Sequence, residues 1–277
     1  MKNELIKPLI TDSENGKVDF TLFQEELNGG KVSKNEIDIL KEHESINKLS
    51  ISGLNQDTFE YLIQYYGSKF SRLYLFKCPK IYNFSPLETL ISLQEIEIFW
   101  NQKSENLWNL EKNRNLEKIV LSDIKKLNNL NSFSNNKTLK YIEIDNGFTG
   151  ALTIDTFKPL KTCQKLLELN IRINKLLDDN ISPLAEISTL NKLYFPPNLF
   201  TTEQVAWLKA KSNGKFTCNL FEGIIKTNVL YFGTEQYTPD TIIVGKRKPY
   251  LNSVKDKIKI EKYLVYFNNL VEEYKSK

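Results

Sequence analysis

Histidine is almost absent from this sequence: His43 is the only one among 277 residues. Ser-His and Cys-His nucleophile arrangements therefore need His43 as their base, and a histidine-based metal site is not expected. Cysteine is scarce too. Cys78, Cys163 and Cys218 make an odd number with no C-x-x-C pair, which argues against both a disulfide framework and a zinc site. No run approaches the ~18 apolar residues that a membrane span needs. The first eight residues carry Lys2, Glu4 and Lys7 where a signal peptide would hold its apolar stretch. A cytosolic chain without metal or cofactor is the expectation.

Long basic stretches are missing as well, and the net charge of +4 is unevenly placed. Residues 245–277 hold nine Lys and Arg against four Asp and Glu, while the preceding 244 hold 29 against 30. The run Gly245-Lys-Arg-Lys-Pro249 has no interleaved aromatic platform, so solvated charge is the favoured reading and nucleic acid is not an expected partner. No G-x-x-x-x-G-K-[ST] occurs, so Gly245-Lys246 is not a phosphate loop.

What the chain does have is a repeat. Phe70-Ser-Arg-Leu73-Tyr-Leu75-Phe-Lys-Cys78 and Leu93-Gln-Glu-Ile96-Glu-Ile98-Phe-Trp-Asn101 both fit L-x-x-L-x-L-x-x-N/C. Taking the middle aliphatic as a mark, the pattern returns at Leu49, Leu73, Ile96, Ile119, Ile142, Leu169, Leu193 and, last, Phe216. The intervals are 24, 23, 23, 23, 27, 24 and 23 residues. Such periods indicate a solenoid, in which stacked units share one continuous core. The inward triplets run from Ile46/Leu49/Ile51 to Leu190/Leu193/Phe195, with Phe216, Cys218 and Leu220 closing the series.

The connectors are consistent with that. Asn55 to Tyr66 has helical spacing before Gly67. Ser85-Pro86-Leu87 and Ser182-Pro183-Leu184 each offer a serine N-cap with proline in the first turn. Thr201 opens a last connector helix. The 27-residue unit contains Gly147-Phe-Thr-Gly150, whose extra residues are expected to bulge. Residues 1–43 depart from the repeat: Val18 to Leu22 alternates like a strand, Gly29-Gly30 turns, and Ser33 with Glu36 caps a helix reaching about His43. These residues are read as an N-terminal cap. Residues 221–277 are read as a C-terminal cap, with short strands at Val229–Phe232 and Thr241–Val244 around a turn at Gly233 or Pro239-Asp240. An amphipathic helix from about Ser253 to Tyr274 follows, with Ile260, Tyr263, Leu264, Phe267, Leu270 and Val271 at helical spacing.

On these motifs the chain resembles a leucine-rich repeat protein over residues 44–220, with repeats like those of bacterial internalins. The ninth template position is Cys78, Asn101, Asn174 and Asn198 in four units and departs at Leu54, Ile124 and Gly147, so a continuous asparagine ladder is not expected. The resemblance implies an α/β fold: a right-handed solenoid of about 7–8 repeats, capped at both ends, with a parallel sheet on the concave face. It implies a protein or peptide partner bound there by a monomer. The Lys/Asn/Ile-rich composition suits an AT-rich bacterial genome. An immunity or antitoxin-like inhibitor of a partner enzyme is the alternative.

Alternation along each strand also nominates the contact residues. A first outward row holds Ser50, Tyr74, Glu97, Val120, Glu143, Asn170 and Tyr194, and a second holds Ser52, Phe76, Phe99, Ser122, Asp145, Arg172 and Pro196. Tyr74, Phe76, Phe99 and Trp100 put four large aromatics on two repeats, with Glu97, Glu143 and Asp145 beside them and Tyr194 further along. Exposed clusters of this kind mark interaction sites. Glu97 and Glu143 stand two strands apart, about 10 Å at the usual spacing, near that of an inverting carboxylate pair. A shallow sheet offers no pocket to raise one pKa, so no catalytic residue is nominated. Cys78 is read as structural, Cys163 and Cys218 as core.

Overall fold

A computed structural model of the chain describes residues 18–24, 31–147, 150–227 and 237–277. Its elements run β1 (Phe20–Leu22), α1 (Lys34–Ile37), β2 (Lys48–Ser52), α2 (Gln56–Tyr66), β3 (Arg72–Phe76), β4 (Glu95–Asn101), β5 (Lys118–Ile124), β6 (Tyr141–Asp145) and β7 (Thr153–Ile154). Then come β8 (Glu168–Arg172), β9 (Lys175–Leu176), α3 (Ser182–Ala185), β10 (Lys192–Tyr194), α4 (Thr202–Ser212), β11 (Thr217–Cys218), β12 (Ile224–Lys226), β13 (Thr241–Ile243), β14 (Tyr250–Leu251) and α5 (Lys257–Ser276).

Nine strands form one parallel sheet in the order β1-β2-β3-β4-β5-β6-β8-β10-β11. Parallel neighbours need a crossover between them, and each crossover here is a short connector on one side of the sheet. The register is the one the repeat predicts: Leu49, Leu73, Ile96, Ile119, Ile142, Leu169 and Leu193 lie side by side. All seven are buried, as are their companions at Ile51, Leu75, Ile98, Leu121, Ile144, Ile171 and Phe195. Removing one such leucine costs about 2–5 kcal/mol, because a rigid neighbour above and below cannot fill the hole.

Three details differ from the sequence reading. The segment before residue 44 supplies a ninth strand in register with the repeats, Phe20 beside Leu49 and Leu22 beside Ile51. The last mark is Cys218, which pairs with Leu193, and not Phe216. A two-residue slip keeps the same face of a strand inward, so alternation alone cannot detect it. Ser85 and Ser182 are not caps but the first residues of their helical turns. Their amides donate to the Asn83 and Asn180 side chains, both at 2.9 Å. Asparagine supplies that turn because its carbonyl reaches the amide two residues on.

Other local expectations hold. Ser33 and Glu36 close a capping box, as do Thr201 and Gln204. α2 spans Gln56–Tyr66 with Asn55 as its cap, and Gly67 follows it. A β-carbon on Gly67 would run into Leu90 of the next connector, so glycine permits the two layers to approach. At the far end, α5 lays Phe267 and Val271 against the common core and meets α4. β12, β13 and β14 make a small antiparallel sheet beside it. The expected turn at Gly29-Gly30, the strand Val229–Phe232 with its Gly233 turn, and Phe148-Thr149 of the bulge lie outside the described residues. No helix among the described residues is long and apolar enough to cross a membrane.

Candidate functional site

The outward rows stand in the order alternation predicts. Ser50, Tyr74, Glu97, Val120, Glu143, Asn170 and Tyr194 pair in sequence across the sheet, as do Ser52, Phe76, Phe99, Ser122, Asp145 and Arg172. Phe76 and Phe99 stack at 5.2 Å with planes 11° apart, and Tyr74 meets Phe76 edge-on at 5.8 Å. One member was not foreseen. Phe23 follows β1 directly, and its ring stacks on Phe76 at 5.4 Å.

Phe23, just past β1, and Phe76 of β3 are separated by β2, yet their rings stack. Ser52 lies between them, only 2% exposed, and its small side chain lets both rings lean together over it. The Ser52 hydroxyl accepts the Gln24 amide at 3.0 Å, which fixes the segment carrying Phe23. Gln24 also lies where a β-carbon on Gly53 would sit. Tyr74, Phe76 and Phe99 are therefore half-buried and not fully exposed. Each stacked pair contributes about 0.5–1.5 kcal/mol beyond its buried area.

Trp100 does not join the stack. It occupies the strand exit in a left-handed conformation, φ 61°, in a column with Gly53 (70°), Lys77 (50°) and Asp123 (53°). The four residues recur at the repeat interval. After each of the last three the chain turns its next side chain inward: Cys78, Asn101 and Ile124 are all buried. Glycine meets this requirement freely, whereas lysine, tryptophan and aspartate are strained there. The Lys77 ammonium lies 5.4 Å from the Phe76 ring and 5.8 Å from that of Trp100, so it bridges the two.

Asn101 shows what the ninth template position does. Its amide donates to the carbonyls of Cys78 (3.0 Å) and Ile81 (2.8 Å), and its oxygen accepts from Lys103 (3.1 Å) and Ser104 (2.9 Å). A second ladder runs through the connectors. Asn113 donates to Leu87 and Leu90, Asn136 to Leu110, and the Cys163 thiol to Phe133. Each stands three residues before a strand's first inward leucine, a spacing that a template starting at that leucine omits. Burial pushes the Cys78 and Cys163 thiols up to about 12, which suits structural cysteines. Cys218 is only partly buried, though its thiol is raised to about 12 as well.

The acidic residues are already engaged. Lys118 Nζ lies 3.2 Å from Glu97, and the Arg172 guanidinium holds Glu143 at 2.9 Å and Asp145 at 2.6 Å. Tyr141 donates to Glu143 at 2.5 Å. Burial and that bond together raise the Tyr141 phenol to about 12. Glu97, Glu143 and Asp145 thus stand on the outward face paired with cations of neighbouring strands. Those cations belong partly to a third outward row, Lys48, Arg72, Glu95, Lys118, Tyr141, Glu168 and Lys192, in which Arg72 pairs with Glu95 at 2.5 Å. Its mixed charges are visible in the sequence one step before each register mark. Tyr194 is 41% exposed on β10, four strands from Phe99 and thus about 19 Å away. The structure does not bring it to the cluster.

Sheet, register and ladders together make a parallel-sheet solenoid with the fold of leucine-rich repeats. The sequence matches no protein-family model and no curated protein. Among solved structures it is similar to the crystal structure of internalin C2 from Listeria monocytogenes, at 19% identity and a TM-score of 0.41, over 60% of this chain and 77% of that one. The fold assignment rests on the chain's own register and not on that likeness.

Proposed function

We propose that this chain is an interaction module that takes a protein or peptide partner on the outward face of its sheet. Residues 44–220 carry the face together with β1 and Phe23, and residues 221–277 close its far end. Tyr74, Phe76 and Phe99 anchor the partner, with Phe23 as a fourth ring. The observation that carries this reading is the stack itself: a row of half-exposed rings on a face whose charges are elsewhere paired. Rings in a pre-formed stack lose little freedom on binding and present apolar area that water solvates poorly. The carboxylates Glu97, Glu143 and Asp145 contribute at the rim by choosing among partners and less by affinity, because each already has its cation.

Capture from a lysate of the source organism tests it, using three baits: wild type, Tyr74→Ala with Phe99→Ala, and Glu143→Gln with Asp145→Asn. All three are first shown folded by their unfolding transitions. A partner held by the wild type and the carboxylate variant, and lost by the aromatic variant, supports the reading. Equal retention by all three places the site elsewhere.

A further inference from the structure

A wide groove lies away from the aromatic face, at the edge where connectors turn into β5, β6 and β8. It has a volume of about 1370 Å³ and is lined by Lys112, Arg114, Lys137 and Lys165, with Glu88, Glu111 and several asparagines. The four cations are exposed. None has a carboxylate within ion-pair distance among the described residues, although Lys140, Lys118 and Lys161 close by are all paired. Arg114 and Lys137 hold equivalent positions 23 residues apart, so successive repeats set them side by side. The floor beneath is fixed. Asn136 is buried with its amide engaged, and Asn115 donates to the Ile91 carbonyl at 2.9 Å.

We propose that this groove binds an acidic, extended segment of a protein partner. Cations on neighbouring repeats stand about 5–10 Å apart, and alternate side chains of an extended chain about 6.6 Å apart, so carboxylates at every second position meet them in turn. Two features favour a protein over a nucleic acid. No aromatic side chain lines the groove, so bases have no stacking platform. Glu88 and Glu111 also interrupt the basic surface, which opposes a continuous phosphate backbone but suits carboxylates spaced by neutral residues. Ile91, 65% exposed at the groove's margin, offers an aliphatic side chain of the same segment an apolar contact. The groove and the aromatic face use different residues, so this proposal stands independently of the one above.

The test is fluorescence anisotropy with the full chain and a labelled peptide of roughly ten residues in which aspartate alternates with serine and one leucine. Two charge-reversed variants are compared: Arg114→Glu with Lys137→Glu and Lys165→Glu, and, as a control of equal charge, Lys211→Glu with Lys215→Glu and Lys262→Glu. The groove variant is expected to bind at least about tenfold more weakly than wild type and the control within about threefold. Lys137→Gln alone, a milder change on an exposed side chain, is expected to weaken binding about threefold. Equal losses in both triple variants overturn the proposal, because diffuse charge then explains the binding. Failure of the wild type to bind the peptide overturns it too. Tighter retention of a single-stranded oligonucleotide of the same charge replaces it with a nucleic-acid site.

Discussion

The two halves of the outward face share one backbone register and differ in what stands on it. On β1 to β4 the second row is Phe23, Ser52, Phe76 and Phe99, and rings touch by leaning across a serine. On β5 to β8 the same row is Ser122, Asp145 and Arg172, and one guanidinium spans two carboxylates. A parallel ladder places equivalent residues about 4.8 Å apart whatever they are. At that distance rings stack and opposite charges pair, so each half satisfies itself by different physics. The aromatic half buries area and keeps an apolar rim to offer. The ionic half has little left to gain, because binding there must first break pairs that water already screens.

The largest separation between the halves is expected in stability. Phe76→Ala with Phe99→Ala removes two partly buried rings and two stacks, and is expected to cost about 4 kcal/mol. Glu143→Gln with Asp145→Asn, where the carboxylates are 17% and 16% exposed and Arg172 is 45% exposed, keeps polar groups in place and is expected to cost about 1–2 kcal/mol. Urea unfolding of both double variants decides it. Similar costs would mean that the stack has no special standing.

A size test sharpens the contrast inside one row. Ser52 is enclosed under two rings, so Ser52→Leu must push Phe23 off Phe76 and is expected to destabilise by about 1–3 kcal/mol. Ser122 is half-exposed next to Phe99. Ser122→Leu adds apolar surface beside Phe99 at a partly exposed position, and is expected to change stability by less than about 0.5 kcal/mol. If both cost the same, Ser52 is not the gap that lets the rings meet.

Alkaline pH should act on the ionic half through Tyr141. Its phenol is raised in the folded state, so the stability it contributes is present in full below the unfolded value of 10.0 and fades as pH climbs through about 12. The gap in unfolding temperature between wild type and Tyr141→Phe should hold steady up to pH 10 and narrow above it. A gap unchanged to pH 12 would show that burial and the bond to Glu143 do not raise the phenol in the folded state.

How much of this was legible depends on what signal each feature leaves. The inward rows were plain, because burial demands aliphatics and the repeat forces them to recur at fixed intervals. The outward rows followed from alternation alone, down to the Phe76–Phe99 neighbours. Partners were harder. Sequence position put Glu143 and Asp145 on the face but could not show that Arg172, at its own row position, would fold back over both. β1 was read as a strand but not as a member of the sheet, since it is three residues long and stands 29 residues from its register partner. Phe23 went unnoticed for the same reason. The slip from Cys218 to Phe216 preserved the face and left no trace in the pattern. The basic groove was invisible because Lys112, Arg114, Lys137 and Lys165 belong to three repeats, and no template position collects them.

The left-handed column was the least legible feature, and it yields the smallest effect. Glycine normally advertises such a conformation, yet only Gly53 does so here, while Lys77, Trp100 and Asp123 adopt it without the usual residue. At Lys77 two contributions oppose each other: backbone strain of about 1 kcal/mol and ammonium contacts with Phe76 and Trp100 of about 0.5–1 kcal/mol. Lys77→Gly relieves the first and forfeits the second, so its stability should lie within about 0.5 kcal/mol of wild type. Lys77→Ala forfeits the contacts and keeps the strain, so it should fall about 1 kcal/mol below the glycine variant. Since neither side chain reaches the rings, the glycine–alanine difference isolates the backbone from the cation. Equal stability of the two variants would show that the strand exit relaxes out of its left-handed turn once the lysine is gone. The cation over the aromatic half would then be what holds the turn in place.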